Sequence, residues 1–266
     1  MKYKLVALDI DGTLLNDNYE LTDRTAETIK KVAAQGTEIV LCTGRGPANS
    51  IPYMKQLGLK GYVLSHNGAA TVDVETREIV HQFPLNPQGL DPYIHYCRDH
   101  GIHFDVNTAF GLYVDSVKGL ALETAAMYEK YLMEPLDLPA WADFSEPIVK
   151  FTAFGEAKVL DKVYSEWSTW TPEFNMFRSG EYFIDLMHPE ASKGAALRYL
   201  AEQKGIKPSE VLAIGNYFND ISMITYAGTG IAMGNSPDGV IAAADDVTAT
   251  NNEDGVHQAL VKYCLS

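Results

Sequence analysis

The segment Asp9-Ile10-Asp11-Gly12-Thr13 places two carboxylates two residues apart, directly after the short apolar run Leu5-Val6-Ala7-Leu8. That run is too brief for a helix and reads as a buried parallel strand. Both acids then emerge at the strand's C-terminal edge, where open α/β sheets place their ligands. Alternation along an extended backbone puts the Asp9 and Asp11 side chains on the same side, and Gly12 permits a sharp exit. Adjacent carboxylates repel unless a cation or proton sits between them. A divalent, oxygen-preferring cation such as Mg²⁺ meets that need. The bland alternative is an acidic turn, since Asp-Gly is common in turns.

Three further segments point to the same chemistry. Thr43-Gly44-Arg45 follows a second apolar run and offers a hydroxyl and backbone N–H groups to an anion. Lys193 opens a helix, where the dipole prefers acids, so a lysine there makes sense if it faces an anion. Gly215-Asn216-Tyr217-Phe218-Asn219-Asp220 follows another strand-like run and adds oxygen ligands. Each feature alone is weak. Together they set carboxylates, a hydroxyl, a lysine and further oxygens at one edge of one sheet, a constellation that fits phosphoryl transfer.

The elements that must position these groups alternate between strand and helix in the first and last thirds. Strands are expected at 5–8, 38–42, 62–65, 211–214 and 229–233. Helices are expected from Thr22 to about Gln35, Pro47 to about Leu57, Ser192 to Gln203, Asp220 to Tyr226, Pro237 to Ala243 and Asp254 to Tyr263. Such alternation implies an α/β fold, a doubly wound parallel sheet with helices on both faces. Val72 to Phe83 reads as a hairpin. The middle, roughly 85–188, mixes helices (Asp91 to Asp99, Leu120 to Tyr131, Ala157 to Trp167) with strands (His103 to Val106, Ile148 to Phe154, Tyr182 to Leu186). It holds all three tryptophans and reads as an inserted α+β module. The domain organisation is therefore a core of 1–84 and 189–266 interrupted by 85–188, with His188-Pro189-Glu190 as a hinge or an ordinary turn.

The chain has 266 residues, and 21 Lys and Arg against 35 Asp and Glu give a net charge of −14. That balance argues against nucleic acid or an anionic membrane as the main partner, because phosphate backbones demand basic patches. A small anionic ligand remains compatible, since a bound metal ion reverses the local sign. Cys42, Cys97 and Cys264 are far apart, with neither metal nor disulfide spacing. They read as reduced thiols. No apolar run is long enough to span a membrane, no signal-peptide pattern is present, and there is no Asn-x-Ser/Thr acceptor. These fit a cytoplasmic protein.

In order along the whole chain, Asp9-x-Asp11-Gly12-Thr13, Thr43-Gly44-Arg45, Lys193 and Gly215-Asn216-x-x-Asn219-Asp220 resemble the four motifs of the haloacid dehalogenase superfamily. The likeness is greatest to its Cof-like phosphatase branch, whose Asn-Gly-Ala segment Ser65-His66-Asn67-Gly68-Ala69 resembles. Gly230 to Asn235, Ala244-Asp245 and Asn252 to Val256 look like that branch's C-terminal signature. The resemblance implies a Rossmann-like core with an inserted C2-type α/β cap serving as substrate lid. It implies a Mg²⁺-dependent phosphatase of a small phosphorylated metabolite, a sugar phosphate by default, with flavin mononucleotide or pyridoxal phosphate as alternatives. Asp9 would be the nucleophile that forms an aspartyl-phosphate, and Asp11 the general acid and base. Thr43 and Lys193 would hold the phosphoryl oxygens, with Gly44, Arg45, Asn67 and Asn219 lining the substrate side. Asp9, Asp11 through its main-chain carbonyl, and the residues at 216 and 220 would hold Mg²⁺.

One position departs from the pattern. The family's fourth motif usually reads Gly-Asp-x-x-Asn-Asp, and here its first acid is Asn216. An amide oxygen coordinates a hard cation without contributing charge. Three consequences are open: weaker Mg²⁺ binding with activity kept, Asp220 supplying the missing charge, or catalysis lost. The first two fit the retention of Asp9, Asp11, Thr43, Lys193 and Asp220. Competing functions follow: a phosphomutase or phosphotransferase built on the same residues, or a non-catalytic phospho-ligand sensor, while a purely structural module leaves the four motifs unexplained. Other signals are set aside. His95, His100 and His103 lack a ligand pattern and read as surface histidines. Gly228-x-Gly230-x-x-x-Gly234 has the wrong spacing for a dinucleotide loop. Asp245-Asp246 and Glu253-Asp254 read as a solvated face. Oligomeric state is not legible.

Overall fold

The computed structural model describes residues 2–130, 133–170 and 173–266. The chain divides into two compact units, Met1–His81 with Ser192–Ser266, and Gln82–Ala191. In the first unit the chain runs β1 (Leu5–Leu8), α1 (Asp23–Ala34), β2 (Glu38–Cys42), α2 (Pro47–Gln56), β3 (Tyr62–Ser65), β4 (Ala70–Asp73) and β5 (Ile79–Gln82). The second unit follows with α3 (Pro87–His100), β6 (His103–Thr108), β7 (Leu112–Val114), α4 (Leu122–Lys130), β8 (Leu136–Asp137), β9 (Ile148–Phe154), α5 (Ala157–Trp167), β10 (Asn175–Gly180) and β11 (Phe183–Met187). The chain then returns as α6 (Lys193–Gln203), β12 (Val211–Gly215), α7 (Ile221–Tyr226), β13 (Thr229–Ala232), α8 (Asp238–Ile241), β14 (Asp246–Val247) and α9 (Gly255–Leu260).

Among the described residues the first unit holds an eight-stranded sheet in the order β14-β13-β12-β1-β2-β3-β4-β5. It is parallel from β14 to β3 and turns antiparallel at β4. The central strand β1 is wholly buried, as expected of a parallel strand covered on both faces. Leu5 and Ala7 point to one face, where they pack with Val40, Cys42, Val211 and Ala213 against Leu197, Leu200 and Ala201 of α6. The doubly wound α/β fold expected from strand–helix alternation is therefore present.

β1 sits between β2 and β12, with Leu8 opposite Leu41 and Ile214. This register sends the loops after β1, β2 and β12 out at the same sheet edge. Asp9 N–H donates to the Ile214 carbonyl at 3.0 Å and Thr43 N–H to the Leu64 carbonyl at 2.8 Å, so each loop leaves tied to the next strand. Lys193 is placed by a different device. The 66–69 turn carries His66, Asn67 and Gly68 at positive φ, and a Cβ on Gly68 would collide with the Ser192 carbonyl just before α6. Glycine thus permits both the left-handed turn and the close approach.

The second unit has a six-stranded sheet in the order β10-β11-β9-β6-β7-β8, antiparallel except at β7–β8. One face carries Phe104, Val106, Phe151, Ala153, Ile184 and Leu186 against α3 and α5. Trp167 is fully buried there, edge-on to Tyr93 at 4.8 Å between ring centroids.

Several element ends differ from expectation. The expected helix end Tyr131 lies outside the described residues. The 237–243 helix shortens to α8. The last α-helix stops at Leu260 and continues as a wider turn, Val261–Leu265. β7, β8, β10 and β14 had no expected counterpart, being short or polar. The 188–190 segment is a turn, with Ala191 N–H donating to the His188 carbonyl at 2.9 Å. Among the described residues no helix is long and apolar enough to cross a membrane.

Candidate active site

At the common sheet edge the Lys193 ammonium lies 2.6 Å from Asp9 Oδ1 and 2.6 Å from Asp220 Oδ1. The lysine side chain is 1% exposed. A lysine at a helix start opposes the dipole, and the anions that justify it here are two protein carboxylates. Ser192 caps the helix by accepting from Ala195 N–H at 3.1 Å, so Lys193 has no capping duty.

Two buried carboxylates against one ammonium leave this cluster at −1. Burial, with repulsion from Asp220, outweighs the pull of Lys193 and pushes the Asp9 pKa up to about 7. Burial also works against the Lys193 charge, but Asp220 and Asp9 more than offset it and hold the ammonium above its ordinary pKa. Burial drives the Cys42 thiol far upward, which removes it as a competing nucleophile.

Asp220 is placed by the loop it closes. Its Oδ2 accepts from Asn216 N–H at 2.8 Å and Tyr217 N–H at 3.0 Å, and a side chain on Gly215 would strike its carboxylate. The expectation that Asp220 is a metal ligand is corrected: one oxygen is committed to Lys193 and the other to two backbone amides.

Asp11 also differs from expectation. The strand ends at Leu8, so alternation does not carry through to residue 11. The Asp11 carboxylate is gripped by Arg45 in a bidentate pair, Nη2 to Oδ1 at 2.5 Å and Nε to Oδ2 at 2.8 Å. Each of the two motif acids therefore has its own protein cation. Arg45 also reaches the Tyr53 hydroxyl at 3.3 Å, and its backbone N–H donates to Thr43 Oγ1 at 3.1 Å. Asn67 Oδ1 accepts from Asn219 Nδ2 at 2.9 Å, joining the 66–69 turn to the loop after β12.

Asn216 faces the first loop. Thr13 Oγ1 donates to its Oδ1 at 3.2 Å. That same oxygen lies 3.0 Å from the Asp11 carbonyl and 3.2 Å from Asp9 Oδ2. Gly12, at φ +75°, has no room for a Cβ beside this amide. Oxygens held by an octahedral Mg²⁺ stand about 2.9 Å apart, given metal–oxygen distances near 2.1 Å. The three oxygens thus fit a small, hard cation in donor type and separation. Among the described residues no group of three or more His, Cys, Asp or Glu side chains could hold a metal, so the set relies on one carboxylate, one carbonyl and one amide.

Sequence reasoning passed over the groups that clamp this edge. Asn235 Nδ2 donates to the Gly12 carbonyl at 2.9 Å and Asn251 Nδ2 to the Leu15 carbonyl at 3.0 Å. The acidic stretch read as a solvated face or loop keeps Asp245 and Glu253 exposed, and each of its acids also has a partner. Asp245 accepts from Gly230 N–H, Asp246 from Lys262 and Tyr263, Glu253 from Thr250, and Asp254 from Thr22 and Thr25. His95 and His100 each bond a backbone carbonyl one helical turn earlier, and His103 bonds the Tyr128 hydroxyl.

In the second unit, the sheet face opposite the aromatic core carries Asp105, Thr152 and Asp185 in one cross-strand row, with Asn107 and Lys150 in the next. Thr152 Oγ1 and Asp185 Oδ1 are buried without a protein partner. Polar–apolar alternation in 103–107 and 149–153 was the sequence signal for this face.

Comparison with known proteins matches residues 6–260 to the haloacid dehalogenase-like hydrolase family. The chain is 33% identical over 271 residues to the putative phosphatase YxeH of Bacillus subtilis, covering 99% of both chains. It is 28% identical over 284 residues to the 5-amino-6-(5-phospho-D-ribitylamino)uracil phosphatase YitU of the same organism, covering 97% of both. A haloacid dehalogenase-like hydrolase from Bacteroides thetaiotaomicron superposes with a TM-score of 0.88 at 32% identity, over 98% of this chain and 99% of that one.

The buried charge triad makes a prediction for stability. Lys193→Met strands two buried carboxylates, which costs about 3–5 kcal/mol. The sign with pH follows from Asp9. Its folded pKa lies above its unfolded value near 4, so the folded state holds the extra proton between the two and loses stability as pH rises through that window. The loss measured by urea denaturation should be larger at pH 8 than at pH 5. Equal losses at both would contradict the charge argument.

Proposed function

Because the chain belongs to the haloacid dehalogenase-like hydrolases and is a phosphatase, we propose that it hydrolyses a small phosphorylated metabolite, a sugar phosphate by preference, with Mg²⁺ and through an aspartyl-phosphate on Asp9. The observation that carries the reading is the double contact of Lys193 with Asp9 and Asp220. It joins residues from the two ends of the chain into one buried, charged cluster.

Asp9 attacks phosphorus, forming an oxygen–phosphorus bond as the ester bond breaks. The departing alkoxide takes a proton from Asp11. Water then gives a proton to Asp11 and attacks the same phosphorus, which releases phosphate and restores the Asp9 carboxylate. Acid–base help of this kind is worth about 10²–10⁴-fold. Asp11 begins in its pair with Arg45, so that pair must open and Asp11 take up a proton from solvent before the first transfer, and the freed guanidinium suits an anionic substrate. Thr43 and Lys193 hold phosphoryl oxygens. When bound, Mg²⁺ neutralises charge between carboxylate and phosphoryl group. Asp9, the Asp11 carbonyl and Asn216 would hold it. The cluster's own charge of −1 supports the requirement, because a phosphate dianion otherwise meets net repulsion.

YitU is named for a phosphoribityl compound, which supports a hydroxyl-rich leaving group.

Phosphate release from a panel of sugar phosphates, flavin mononucleotide, pyridoxal phosphate and p-nitrophenyl phosphate tests the function. Release should require Mg²⁺, stop with EDTA and return when Mg²⁺ is restored. Asp9→Asn should abolish it while the protein stays folded, with a metal-free melting temperature at pH 7.5 no lower than the parent's. Hydrolysis surviving that substitution removes the nucleophile assignment, and isomer formation in place of phosphate release indicates a mutase.

A further inference from the structure

We propose that the Asn216 carboxamide is a built-in substitute for the cation, turning about its side-chain torsion between a metal-free orientation with nitrogen inward and a metal-holding orientation with oxygen inward. The inference rests on the phosphatase reading and concerns regulation of the same site.

The position facing the first loop is surrounded by acceptors. It lies 3.0 Å from the Asp11 carbonyl, 3.2 Å from Asp9 Oδ2 and 3.2 Å from Thr13 Oγ1. Asp9 Oδ2 and the carbonyl have no proton to give when Asp9 is ionised. With oxygen inward the amide meets those two acceptors directly, an arrangement that needs a cation or a proton among them. With nitrogen inward its two N–H groups have three acceptors within reach, the Asp11 carbonyl, Asp9 Oδ2 and Thr13 Oγ1. Asparagine serves both states because its two ends have nearly the same shape and opposite hydrogen-bonding character. An aspartate here would be an acceptor in either orientation. It would also add a third carboxylate beside Asp9 and Asp220, with Lys193 as their one shared cation.

Two consequences follow. The metal-free site satisfies itself, so the fold does not depend on the cation. Metal binding must displace the amide's hydrogen bonds and gains no charge from residue 216, so occupancy tracks the Mg²⁺ concentration instead of saturating at trace levels. Asn216 is therefore a set-point for metal response.

Thermal denaturation with Mg²⁺ alone, in the absence of any substrate, tests this on the parent and on Asn216→Asp. Metal-free Asn216→Asp should melt below the parent. Mg²⁺ should raise its melting temperature more than the parent's, with a half-saturating concentration lower by about tenfold or more, equivalent to at least 1.4 kcal/mol of added affinity. A metal-free variant as stable as the parent, or equal half-saturation, overturns the proposal.

Should that variant fail to fold without metal, the parent decides alone through its side-chain NH₂ resonances in ¹⁵N–¹H spectra, with Asn216 assigned by its loss in Asn216→Ser. The Asn216 pair should shift on Mg²⁺ addition, whereas a pair unmoved at saturating Mg²⁺ sinks the idea. Mg²⁺ binding as described without phosphate release would remove the phosphatase reading and leave this inference standing. Phosphate release with no difference in Mg²⁺ response would do the reverse.

Discussion

A lysine ammonium buried between two carboxylates is the interaction on which the rest of this site depends. Separately, each of the three charges would be costly to bury. Together they are tolerable only at close contact, which Lys193 achieves with both Asp9 and Asp220. That contact dictates the start of α6, the closure of the loop after β12 and the direction in which Asp9 leaves β1. It also leaves a surplus negative charge, which adds to burial in pushing the Asp9 pKa up to about 7 and makes an additional cation welcome.

The surrounding backbone serves this contact through close approaches that side chains would prevent. Gly68 lets the 66–69 turn reach the residue before Lys193, Gly12 clears the Asn216 amide, and Gly215 clears Asp220. Asparagines then clamp the result, with Asn235 holding the Gly12 carbonyl and Asn251 the Leu15 carbonyl. Much of the C-terminal segment thus acts as a brace for the first loop, and its surface acids have assigned donors.

The two units differ in the character of their sheets. A parallel sheet buried on both faces presents loop residues at one edge, which gathers charged groups at a common point. The antiparallel sheet of the second unit has one apolar face and one polar face. The polar face brings Asp105, Thr152 and Asp185 side by side. Asn216 joins neither pattern fully. It is an uncharged oxygen donor at a position where charge would be stronger, and the amide's two-sidedness makes that weakness functional.

The core was legible in the sequence wherever a local signal was complete. The strands 38–42 and 62–65 and the Thr22 and Ser192 caps are present where run length and capping residues placed them. β8 and β14 are two residues each and exist by pairing with a neighbour, which leaves no periodic trace. The order of motifs identified the residues of the site, since carboxylates and hydroxyl must follow strands to share an edge and the lysine opens a helix. Their partners were decided in three dimensions. Asp11 was expected beside Asp9 and is paired with Arg45, and Asp220 was expected at the metal and serves Lys193. A sequence specifies which groups are available. Which oxygen faces which proton depends on distances of a few tenths of an ångström between loops up to some 200 residues apart, and only the packed sheet sets those.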